Sequence, residues 1–111
     1  MSYRHIEDLL KEVAIPQDGI LSRTLHQDER LKMVLFAFAQ GQELSEHTAA
    51  TPAILQVLQG EALVKLGEDE VQARAGAWIH MPPQLPHSVS ARTPLVLLLL
   101  LLKTGGAIRG G

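Results

Sequence analysis

The chain has 111 residues, 46% of them hydrophobic, and its 10 basic residues against 12 acidic ones give a net charge of −2. That length makes one domain, able to bury roughly two thirds of its unfolded surface, and the charge balance excludes a basic footprint for nucleic acid or an anionic membrane. The absence of cysteine excludes disulfides, thiolate metal sites and thiol nucleophiles.

The first residues, M-S-Y-R-H-I-E-D, are polar and lack the apolar core of a signal peptide, so a cytoplasmic location is expected. Ile6, Leu9, Leu10 and Val13 fall at i, i+3, i+4 and i+7, with Glu7, Asp8, Lys11 and Glu12 between them. This spacing predicts a short amphipathic helix over about residues 5–14, ended by Pro16. Residues 19–26 read as a strand, 27–30 as a polar turn, and the apolar stretch 31–39 as an interior strand. After Gly41 comes a histidine-bearing segment that Thr51-Pro52 interrupts. Residues 53–58 form another strand, closed by Gln59-Gly60. Residues 61–66 alternate, turn at 67–69 and pair back through 70–75.

Residues 95–102 are eight consecutive Leu or Val side chains followed by Lys103. A bilayer-spanning helix needs about 20 apolar residues, so this run is expected to be a strand. It is buried either on both faces, or on one face with a partner chain covering the other. The tail 104–111, with four glycines, is expected to be mobile. Many short strands with regular turn signals and one short helix predict an all-β sandwich or barrel, with its core over about residues 19–103 in a single domain 1–111.

The most informative stretch is residues 76–89, G-A-W-I-H-M-P-P-Q-L-P-H-S-V. Gly76 and the prolines punctuate the backbone, predicting a strand, a rigid turn and a second strand that carries His87 near its start. The comparable histidine is His47, in G-Q-E-L-S-E-H.

These two segments resemble the two motifs of the cupin superfamily. The first motif of that family runs glycine, five residues, His-x-His, three or four residues, Glu, six residues, glycine; here Gly41, His47 and Gly60 take the matching places. The second runs glycine, five residues, Pro-x-Gly, two residues, His, and Gly76, Pro82 and His87 match it. The resemblance covers about residues 31–103 and implies a jelly-roll barrel, or double-stranded β-helix. In metal-binding cupins the ligands are two histidines and a glutamate from the first motif and one histidine from the second. By resemblance His47 and His87 keep two of these places. Ala49 and Ala53 stand where the second histidine and the glutamate are expected, and Gln84 replaces the glycine of the second motif.

Two neutral imidazoles hold a divalent ion only with help from further donors. Glu43 is the candidate third metal ligand beside His47 and His87, since residues 43, 45 and 47 share a face of an extended strand. Gln56, His80, Gln84 and Trp78 are candidates for binding a small ligand. Gln56, however, is three residues from Ala53 and reaches the same face only through a bulge, and Trp78 has core packing or a dimer face as its alternative role. Ser45 and Ser88 lie close to the histidines in sequence, which does not make a triad.

Three functions follow. The first is a barrel holding Fe, Mn, Ni or Zn, which acts as a Lewis acid or binds oxygen. The second is a metal-free pocket for a small molecule, motivated by the two alanines. The third is a structural homodimer without a site, expected because small cupins pair and because the 95–102 run is so apolar. Whether the protein is an enzyme is left open.

Overall fold

The computed structural model describes residues 2–103, so the glycine-rich tail lies outside the described residues. The alternating segments form nine strands: β1 (Ile20–Gln27), β2 (Leu31–Phe38), β3 (Glu43–His47), β4 (Ala53–Gln59), β5 (Glu61–Leu66), β6 (Asp69–Arg74), β7 (Trp78–Met81), β8 (His87–Ala91) and β9 (Leu95–Leu102). They make two antiparallel sheets, one of five strands in the order β1-β2-β9-β4-β7 and one of four in the order β3-β8-β5-β6. This is the expected all-β jelly-roll barrel. Among the described residues no helix is long and apolar enough to cross a membrane.

Side chains alternate between the two faces of a strand, and that alternation builds the core. Phe38, Leu55, Val57, Leu95 and Leu97 of the larger sheet meet Ala62, Val64, Val89 and Ala91 of the smaller one. The apolar run is β9, central in the five-stranded sheet. It pairs with β2 from Leu31↔Leu102 to Phe38↔Leu95 and with β4 on its other side. Its residues 95–98 are buried on both faces. Leu95 and Leu97 point between the sheets, whereas Val96 and Leu98 join a second cluster on the outer face with Leu25 and Leu35.

That outer cluster is covered by the chain's own N-terminal segment through Ile6, Leu9, Val13 and Ile15. Here the expected helix over 5–14 is corrected: it shrinks to one 3-10 turn, Leu9–Glu12, where the Asp8 side chain accepts a hydrogen bond from the Leu10 amide at 3.1 Å. Val13 is already extended, at φ −148° and ψ 149°. A helix this short is marginal in water. The extended run after the turn lets Val13 and Ile15 both reach the sheet, and Leu10 is left exposed.

Two turns fix the framework. Between β1 and β2 the Asp28 carboxylate accepts hydrogen bonds from the amides of Arg30 at 2.7 Å and Leu31 at 3.0 Å and pairs with His26 at 2.7 Å. The His26 hydrogen bond, then the two amides, lower its pKa from 3.8 to about 2. Because the folded value is depressed, this contribution is present above the ordinary carboxylate range and is lost as pH falls toward 2. At the crossing from β4 to β5, Gly60 has φ +90° and lies against the 93–95 turn. A Cβ there would run into the Pro94 carbonyl oxygen and stand 2.8 Å from Thr93 Oγ1.

Candidate functional site

The two histidines are brought together by an irregularity in β3. Glu43 stands opposite Ser90 and Leu44 opposite Val89, but the next pair is His47↔His87, so β3 carries one extra residue. A bulge of this kind reverses which face the following side chains occupy. Leu44 and His47 therefore face the barrel interior together with Val89 and His87. Glu43 is exposed and is absent from the lining of that cavity. The expectation that residues 43 and 47 share a face, with Glu43 as third ligand, fails for this reason.

The imidazole rings of His47 and His87 have centroids 4.2 Å apart and planes inclined at 59°. His87 is buried, while His47 is exposed at the open side. Each ring is tethered to its own strand: His47 Nδ1 lies 2.9 Å from the Ser45 carbonyl oxygen, and His87 Nδ1 lies 2.8 Å from that of Leu85. A carbonyl oxygen only accepts, so Nδ1 carries the proton and Nε2 of each neutral ring is a bare acceptor. The rings border a cavity of about 40 Å³, whose other walls are Phe36, Phe38, Leu44, Leu55, Val89, Leu97 and Leu99. At ~10–15 Å³ per water centre, this admits about three or four waters or a ligand group of similar size. No carboxylate or serine lines it.

The Pro-Pro turn holds the second histidine in place. The Gln84 amide donates to the Ala49 carbonyl at 2.8 Å, tying the loop after β3 to the turn before β8, and the Gly67 amide donates to Pro86 at 2.8 Å. Gln84 sits at φ +68°, the sole non-glycine residue with positive φ among those described. This explains why a glycine suits the position. Gln84→Gly is expected to raise stability by up to about 1 kcal/mol, as relief of left-handed strain outweighs glycine's added chain entropy. Urea denaturation checks it, and a destabilised variant would mean that the Gln84 side chain contributes more than its backbone strain costs.

The remaining candidates lie elsewhere. Leu55 and Val57 point into the core, so Gln56 points out, opposite Trp78, with Ile54 opposite His80. Trp78 is 59% exposed, and its ring lies 6.5 Å from that of His80 at an interplanar angle of 20°. Gln84 is exposed in its turn. None of these four borders the cavity. The apolar lining went unnamed from the sequence, although the period-2 alternation of β2, β4 and β9 marks most of it.

The donor set decides the question of a metal. Protein-held catalytic ions ordinarily take three protein ligands. Here two imidazole nitrogens are available, Glu43 faces away, and the positions of Ala49 and Ala53 carry no donor. No group of three or more His, Asp or Glu suited to an ion occurs among the described residues. The residues present do not fit a metal held by the protein alone.

A two-sheet antiparallel barrel, with one histidine from each of two paired strands facing its interior, defines a small double-stranded β-helix protein. The chain belongs to the cupin family: the profile for the cupin domain matches residues 34–101. Among solved structures it is similar to a conserved protein of unknown function from Streptococcus pyogenes, at 32% identity, covering 93% of this chain and 90% of that one, with a TM-score of 0.82. It is also similar to an RmlC-like cupin from Desulfovibrio desulfuricans at 28% identity, covering 91% and 98%, with a TM-score of 0.81. A cupin superfamily protein from Desulfitobacterium hafniense shares the fold at 22% identity, covering 92% and 94%, with a TM-score of 0.83. No curated protein matches the sequence.

Proposed function

We propose that the barrel binds a small, largely apolar molecule whose hydrogen-bond-donating group sits between His47 and His87. The observation that carries this reading is the pair of tethered rings, 4.2 Å apart against an apolar wall, each with Nε2 left as an acceptor. The buried His87 acceptor favours a donor, because leaving it unsatisfied costs roughly 1–3 kcal/mol, and the exposed His47 ring offers a second acceptor beside it. The hydrophobic wall then selects the body of the ligand by shape and surface. The metal-dependent alternative requires a donor that this chain does not bring to the pair.

The test is a titration with phenol and short-chain alcohols, followed through the imidazole resonances of His47 and His87. Saturable shifts of both rings, abolished in His87→Ala and unaffected by chelator, are expected. Absence of any saturable shift, or stoichiometric retention of Zn²⁺ or Ni²⁺ by the wild type after gel filtration, would sink the metal-free reading.

A further inference from the structure

A second and larger cleft lies on the outer face of the five-stranded sheet, across that sheet from the His47–His87 cavity. Its volume is about 640 Å³, within the ~300–1,000 Å³ usual for small-molecule sites. Leu31, Met33 and Leu100 form the floor, and the N-terminal segment supplies a wall through Ile6 and Leu9. Strand alternation keeps the two sites apart. Leu97 and Leu99 of β9 line the inner cavity, whereas Leu100 faces the cleft.

His26 reaches this face through an irregularity in β1. Thr24 stands opposite Val34, but the next pair is His26↔Met33, so Leu25 is an extra residue. Such a bulge re-aims the side chains beside it. Leu25 joins the outer cluster with Leu35, and His26 faces the same side, with Met33 and Leu100. The His26 ring is also held from behind. Asp28 Oδ1 accepts the amides of Arg30 and Leu31, while Oδ2 lies 2.7 Å from His26 Nε2. An ionised carboxylate only accepts, so Nε2 carries a proton and Nδ1 is the nitrogen left for a ligand.

Charge in the cleft is unbalanced. Arg4 and His5 line it, and neither forms an ion pair among the described residues. Asp28 is the one acidic residue in the described lining, and both its oxygens are engaged. We propose that this cleft binds a small carboxylic acid with an apolar body, its carboxylate held by Arg4 and His26 and its chain laid over Met33 and Leu100. A guanidinium is always charged and matches a carboxylate with two parallel N–H donors. With a proton on Nδ1 as well, the His26 ring donates to the ligand, and the Asp28 carboxylate at Nε2 balances the ring's charge. The apolar floor favours an alkyl or aryl body, which an inorganic anion lacks.

Octanoate is the probe and octanol its uncharged counterpart, each titrated into the untagged full chain just below neutral pH. Octanoate should give saturable shifts of the His26 imidazole and Met33 methyl resonances. Its affinity should exceed that of octanol about tenfold, the worth of one charge-assisted hydrogen bond. Arg4→Gln and His26→Ala should each lose that advantage and leave octanol binding unchanged. Arg23→Gln, on the same strand as His26 but paired with Glu12 at 3.6 Å, should retain it. Arg4 is exposed, so its variant keeps the test sharp even if His26→Ala does not fold. The His47 and His87 resonances report the inner cavity in the same titration, so the two sites are judged separately. Equal affinity for octanoate and octanol overturns the proposal, as do octanoate shifts confined to His47 and His87.

Discussion

Gly60→Ala is expected to destabilise the protein by about 2–6 kcal/mol, adding strain at a left-handed position (~1–3 kcal/mol) to overpacking against its neighbours (~1–3 kcal/mol). The neighbours that a methyl group would strike are the Pro94 carbonyl oxygen, Thr93 Oγ1 and Leu95 Cα. The first and last are backbone atoms of the tight approach to β9, and Thr93 Oγ1 is held by the hydrogen bond it accepts from the Glu61 amide at 2.9 Å. Gly60 is also the hinge at which the chain leaves the five-stranded sheet and enters the four-stranded one, and its carbonyl accepts from the Ala75 amide at 3.1 Å. Gly41→Ala is the matched control. Its φ is +86°, but nothing lies within 4 Å of the added carbon, so it reports the strain alone, about 1–2 kcal/mol. Guanidinium denaturation of both variants separates the two contributions. Equal losses would show that the 93–95 turn moves aside.

Phe38→Ala is expected to lose a similar amount, about 3–5 kcal/mol, through lost burial and the void left behind. Phe38 is fully buried, packs 6.3 Å from Phe36 between ring centroids, and belongs both to the inter-sheet core and to the wall of the histidine cavity. Truncation therefore enlarges the candidate site as it weakens the barrel. Thermal and urea unfolding check the stability. A loss below about 1 kcal/mol would mean that Phe36 and the β9 leucines collapse into the space.

The strands were legible because their pattern is local. Phe36 and Phe38, Leu55 and Val57, and Ala62 and Val64 each repeat every second residue, and glycines and prolines mark where the repeats stop. The burial of residues 95–98 on both faces was one of the two readings that composition left open, and what covers Val96 and Leu98 was not legible. The same apolar spacing of Ile6, Leu9 and Val13 that suggests a helix also serves a segment lying along a sheet with a single 3-10 turn. The histidine pair was legible from motif spacing. The loss of Glu43 from it was not, because one extra residue in β3 changes the face of everything that follows, and no side chain in E-L-S-E-H announces the slip. Gln56, Trp78 and His80 share a face with one another by the ordinary alternation, and it is the outer one.

The tethers on the two rings bear on what the pair does with a proton. A histidine that passes protons between an interior and the solvent uses both nitrogens in turn, taking a proton at one and releasing it from the other. Here Nδ1 of each ring is bound to a carbonyl oxygen two residues earlier in the chain, and release from that side breaks the contact that orients the ring. In the proposed function the two imidazoles would receive a donor and keep it still, as fixed receptors rather than links in a proton wire.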